Sequence, residues 1–98
     1  MQFIPTEAIH PGEILKQDFL VEYSLSVDQA AAGLGMRADN LEAIVNGTGQ
    51  LTAEIALRFA RYFETSPEFW LNLQRSYDLS IALKSVNGLD KIRPVRAA

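Results

Sequence analysis

Apolar residues recur along this 98-residue chain at intervals of three and four, and no segment alternates apolar with polar residues long enough to make a strand. The pattern predicts an all-α domain cut into five helices by glycine, proline and capping residues. The first covers 11–23, where Pro11 suits the opening turn, Glu13 lies near the positive end of the dipole, and Ile14, Leu15, Phe19 and Leu20 share one stripe. Ser26, with Gln29 three residues on, forms a capping box that opens helix two over 26–33. Gly33 weakens that helix and Gly35 supplies the left-handed residue that ends it. Helix three spans 37–46 and stops at "NGTG". Helix four spans 52–64, with Thr52 as cap and Ile55, Phe59 and Phe63 repeating beside Ala56 and Ala60. Ser66, Pro67 and Glu68 start helix five, over 66–86.

Length allows one core, so residues 1–86 are expected to form one domain and 87–98, interrupted by Pro94, a basic arm without an ordered helix. An apolar share of 48% and a charged share of 21% are those of a globular protein, not a disordered or fibrous one. The absence of cysteine excludes a disulfide framework, a thiol nucleophile and a thiolate zinc site, and fits a reducing compartment. No run approaches the ~18 apolar residues of a membrane span, and the start of the chain does not read as a signal segment. A soluble, cytoplasmic protein is expected. The net charge of −3 hides an asymmetry: residues 1–83 carry five Lys/Arg against eleven acids, whereas 84–98 carry Lys84, Lys91, Arg93 and Arg96 against Asp90.

"SVDQAAAGLGMRADNLEAIVNG" has the spacing of a helix-turn-helix. Such a motif needs a small residue where the second helix crosses the first, a glycine in the turn, and apolar residues on the second helix's inner face; Ala31, Gly35, Leu41 and Ile44 fill those places. The ordinary alternative is a tight helical corner with no role on DNA. If the motif is used, Ala38, Asp39, Asn40, Glu42 and Ala43 face outward on helix three, Arg37 precedes them, and Gln29 and Thr48 flank them. Asn40 suits adenine, Ala38 and Ala43 suit a thymine methyl, and Arg37 suits guanine or phosphate. Asp39 and Glu42 repel phosphates unless they accept from cytosine. Because Arg37 cannot cap the first-turn amides, and Asp39 with Glu42 forms a rival capping box, helix three is expected to fray or to begin near Asn40.

Helix five carries more apolar surface than one small core readily covers, so that either another chain buries part of it or all eight of its large apolar residues close the monomer core. Trp70, Leu73, Tyr77 and Ile81 form one stripe, with Phe69, Leu71, Leu79 and Leu83 partly off it. Phe69, Trp70, Leu73, Tyr77 and Ile81 are candidate dimer or partner residues, and Trp70 is the one most expected to lie in the core. His10 between Glu7 and Glu13 is a weak metal trio, better read as a cap or a packing residue. With no Ser-His-Asp or Cys-His set and no phosphate loop, neither an enzyme nor a cofactor is expected.

"HPGEILKQDFL", the helix-turn-helix ending "VNG", and "LTAEIALRFARYFETSPEFWLNLQRSYDL" resemble the HigA/VapI group of toxin–antitoxin antitoxins, within the Xre/lambda-repressor-like superfamily. The likeness covers residues 10–83, and "SPEFWLNLQ" is its most specific part. It implies a five-helix antitoxin that forms a homodimer, binds a basic messenger-RNA endonuclease of the HigB kind, and represses its own operon through operator DNA. Family members commonly have Ser, Arg, Ser and Thr-like residues through 37–40, a basic residue near 43, and Lys or Arg after the Asn-Gly. This chain has Arg37, Ala38, Asp39, Asn40, Ala43 and Thr48 there. The alternative is a protein-interaction module or stand-alone regulator that keeps the fold with little DNA affinity.

Overall fold

The computed structural model describes residues 8–96. Five α-helices, a π-helical stretch and one short 3-10 turn follow one another, with no strand among the described residues. The first, α1 (Pro11–Ile14), begins at His10, whose Nδ1 accepts the Gly12 N–H at 2.9 Å. It runs directly into a π-helical stretch, Leu15–Leu20, in which N–H groups reach back five residues, as Val21 does to the Lys16 carbonyl at 3.0 Å. The regular helix expected over 11–23 is therefore α for one turn, π through Leu20, and turn over 21–24. The wider turn brings residues five apart toward one side. Leu15 and Leu20 have that spacing, and both are buried.

Helix α2 (Val27–Leu34) opens on the expected capping box: Ser26 Oγ accepts the Gln29 N–H at 3.1 Å and Gln29 Oε1 accepts the Ser26 N–H at 2.9 Å. Gly35 ends it at φ 69°, the left-handed conformation that glycine adopts without a Cβ clash. Helices α3 (Ala38–Val45), α4 (Ala53–Phe63) and α5 (Pro67–Ser85) follow. Thr52 and Ser66 cap the last two as the sequence predicts, their hydroxyls accepting the Ile55 and Phe69 N–H groups. Beyond Gly88 the tail holds a single 3-10 turn, Leu89–Lys91, where no ordered helix is expected from the sequence.

The core gathers one face from each helix: Leu15, Ala31, Leu41, Ile44, Phe59 and Trp70 are buried in it. Its centre is aromatic. Trp70 meets Phe59 at 4.9 Å between ring centroids and Phe19 at 5.1 Å, and its indole N–H donates to Thr65 Oγ1 at 2.7 Å. Burying each such ring contributes about 1.5–3 kcal/mol.

Helix α1 crosses the end of α3 so closely that a Cβ on Gly12 would fall on the Ile44 carbonyl oxygen and 2.8 Å from its carbon. His10 spans the same junction, its Nε2 3.1 Å from the Gly49 carbonyl and its ring edge-on to Tyr77 at 4.8 Å. His10 is thus a cap and a packing residue. Glu7 of the proposed metal trio lies outside the described residues, and no group of three metal-ligating side chains occurs among those described. A second strut comes from Gln74, buried on α5, whose Oε1 accepts the Leu51 N–H at 2.9 Å and whose Nε2 donates to Asp78 at 3.0 Å.

The molecule is 57 Å long and 22 by 21 Å across, because the last turns of α5 run past the core. There Ile81, Leu83 and Val86 are about half exposed. No helix among the described residues is long and apolar enough to cross a membrane.

Candidate nucleic-acid interface

Helices α2 and α3 meet as a helix-turn-helix requires. Ala31 is buried where they cross, Gly35 makes the turn, and Leu41 and Ile44 anchor the inner face of α3. Asp39, Asn40 and Glu42 are left exposed, while Ala38 and Ala43 are half-buried beside them. The α2–α3 pair therefore presents one polar ridge and two shallow grooves. Gln29, Glu42 and Asn46 line one groove with Lys16. Arg37 and Asn40 line the other with Thr52, Glu54 and Arg58.

Helix α3 does not fray. It is regular from Ala38, Arg37 occupies the cap position without a side-chain capping bond, and the Arg37 side chain is 78% exposed. The expectation of a start near Asn40 is overturned, and a contact within the first turn accompanies the early start. Arg37 Nε donates to Asp39 Oδ1 at 3.0 Å and Nη2 donates to Oδ2 at 2.8 Å. That bond holds the Asp39 carboxyl below the usual carboxylate range, against the opposing effect of desolvation, with the charge of Arg37 and the Asn40 and Asp39 backbone N–H groups assisting. The Arg37 guanidinium is raised in turn, chiefly by the same hydrogen bond. A negative charge in the first turn favours the helix dipole and compensates for the missing cap. Asp39 thus serves as a first-turn acid, not as the cap of a shortened helix.

Two other candidates are committed within the chain. The Oε1 of Gln29 is held in the capping box. The Thr48 hydroxyl donates to the Ala43 carbonyl at 3.2 Å, where the Thr48 and Gly49 N–H groups also converge and close the end of α3. A residue that the sequence did not single out is Arg58, whose Nη1 donates to the Leu34 and Gly35 carbonyls at 2.9 and 3.3 Å while Glu54 takes its other edge. It fastens α4 to the turn of the motif. Its four-residue spacing from Glu54 is visible in the sequence, but its reach across to α2 is not.

On α5, Trp70 lies wholly inside the chain and leaves the candidate partner surface. Leu73 and Tyr77 are half-buried against their own core, Phe69 and Ile81 are exposed, and the turned-in line includes Gln74 and Ser80 instead of Ile81. Leu79, Ala82, Leu83, Val86 and Leu89 line an apolar groove toward the end of the helix.

No protein-family model matches the chain. Among curated proteins it is 38% identical over 88 residues to virulence-associated protein I of Dichelobacter nodosus, covering 90% of this chain and 82% of that one. It is 43% identical over 68 residues to a helix-turn-helix transcriptional regulator of Haemophilus influenzae, covering 69% of this chain and 64% of that protein's length. Two solved structures superpose over nearly their whole length. An addiction-module antidote protein of the HigA family from Coxiella burnetii has 41% identity and a TM-score of 0.84, with 90% of this chain and 98% of that one aligned. The Pseudomonas aeruginosa antitoxin HigA, solved with the higBA promoter, has 39% identity and a TM-score of 0.85, with 91% and 99% aligned. A buried alanine under a glycine turn, an outward α3 and relatives matched along most of the chain agree: the protein belongs to the HigA/VapI family of helix-turn-helix antitoxins.

Proposed function

We propose that this chain is the antitoxin of a toxin–antitoxin pair, a regulator and not an enzyme, which binds a basic HigB-like toxin and represses its own operon as a homodimer in the cytoplasm. The observation that carries the reading is the display of α3: Leu41 and Ile44 lock one face into the core while Arg37, Asp39, Asn40 and Glu42 stand in solvent. Two such helices in a dimer, about 34–36 Å apart, would enter successive major grooves of a palindromic operator. The P. aeruginosa HigA solved with its promoter supports this use of the fold.

In this reading residues 1–86 do the work. Arg37 and Asn40 contact base edges, aided by Ala38, Ala43, Gln29 and Thr48 at the margins, and 87–98 form a basic arm. Lys84, Lys91, Arg93 and Arg96 of that end add phosphate contacts that offset the acidic body. Phe69 and Ile81, with the apolar groove of α5, provide the subunit contact, and the acidic body attracts the cationic toxin.

The test is a titration of the purified dimer with duplex DNA from upstream of its own reading frame, at several salt concentrations, against a scrambled duplex. A steep log–log salt dependence with clear preference for the native duplex supports autorepression. Equal affinity for both duplexes overturns it and leaves an interaction module, whose toxin is then sought by co-expression with the adjoining reading frame.

A further inference from the structure

Arg37 at the outward end of α3 is not a free side chain. Asp39 holds it side-on, with one bond from Nε and one from Nη2, at 3.0 and 2.8 Å. A guanidinium carries five N–H donors, so three remain. Two of those three, on Nη1 and the outer side of Nη2, lie parallel along the end of the fork. That edge has the form that meets O6 and N7 of guanine in the major groove.

The pair is exposed, with side chains 78% and 65% accessible, and exposed pairs add little to folding because water screens them. Its consequence lies in order: a long, rotatable side chain is held in one plane, at the first turn of the helix that faces outward. Asp39 is also changed by the pairing. Its charge is already answered by Arg37, so it does not meet the phosphates as a bare carboxylate.

We infer that Asp39 is a positioning residue for base reading: it fixes the plane and reach of Arg37 so that the open edge of the guanidinium meets a guanine, which gives this chain a G·C requirement in each half-site. The inference rests on the proposed operator binding and adds the base that is read and the residue that sets it. A side chain that only repels phosphate makes the opposite forecast, since its removal strengthens binding to every sequence alike.

The experiment selects bound DNA from a duplex pool with a random stretch of about 20 base pairs, enough for two half-sites one helical turn apart. Wild-type protein, Asp39→Asn and Arg37→Lys are compared, each with its thermal unfolding midpoint recorded. The expected result is a guanine fixed at one position of each half-site by the wild type. Asp39→Asn reduces that preference by roughly tenfold or more while keeping or raising affinity for unrelated DNA, and Arg37→Lys loses the same preference although it keeps the charge. A wild-type site without that guanine, or an Asp39→Asn protein that keeps the preference and binds all sequences more tightly, overturns the inference and leaves operator binding intact. Failure of the wild type to enrich any sequence overturns operator binding itself, and the inference with it.

Discussion

The Arg37–Asp39 contact joins residues two apart, and it shapes both how α3 begins and what α3 shows to solvent. It also gives a direct observable. Because Arg37 depresses the Asp39 carboxyl, the pair is intact at pH above the ordinary carboxylate value of about 3.9 and is lost only as pH falls through the lower, folded value. In a carbon-detected NMR titration, Asp39 is expected to titrate below the ordinary carboxylate value, and Arg37→Ala should return it toward that value. A normal Asp39 midpoint in the wild type would show that the pair is absent in solution.

Gln74 is a second residue whose importance comes from its neighbour, here a buried backbone N–H. Gln74→Ala leaves the Leu51 N–H without its acceptor, a loss of about 1–3 kcal/mol, and should lower the Tm by roughly 5–15 °C. A glutamine within an apolar helix face reads in sequence as a solvent position, and only the fold shows that it is turned inward.

At the scale of elements, the helices that open on side-chain caps or close on glycine are legible, because those signals are local: the Ser26–Gln29 box, Thr52, Ser66 with Pro67, and Gly35 all act within a few residues. Two features are not local. The π-helical stretch Leu15–Leu20 has no sequence mark, since it arises from burying residues five apart against the other helices. The firm start of α3 defeats a cap-based expectation, because Leu41 and Ile44 hold the helix from below while Asp39 supplies the first-turn charge. The site is legible in its positions and less so in its chemistry: sequence reads Asp39 as a repelling acid beside Arg37, whereas the two form one unit. Two elements approach closely at Gly12. Gly12→Ala drives a methyl group into the Ile44 backbone, and a loss of about 1–3 kcal/mol is expected by denaturant unfolding, with weaker DNA binding if α3 is displaced. Wild-type stability in this variant would mean that α1 can back away without cost.

At the scale of the whole molecule, the chain divides along its 57 Å length. The helix-turn-helix is packed on the buried core, and the half-exposed apolar turns of α5 with the basic arm lie outside that core. Leu83 lies in the apolar groove there. Leu83→Glu should convert the dimer to monomer in sedimentation and reduce operator affinity steeply, since each half-site is then bound alone, while thermal unfolding at low concentration changes little. A dimer that persists would move the subunit contact to another face.

The bond from Gln74 to Leu51 and the packing of His10 on Tyr77 tie the chain that leaves α3 to the middle of α5. The rod that serves as handle thus also sets the blade, α3, at a fixed angle. Should the angle at which two subunits clasp one another drift over generations, the pitch of both blades drifts with it, and the spacing of the matching palindrome must follow.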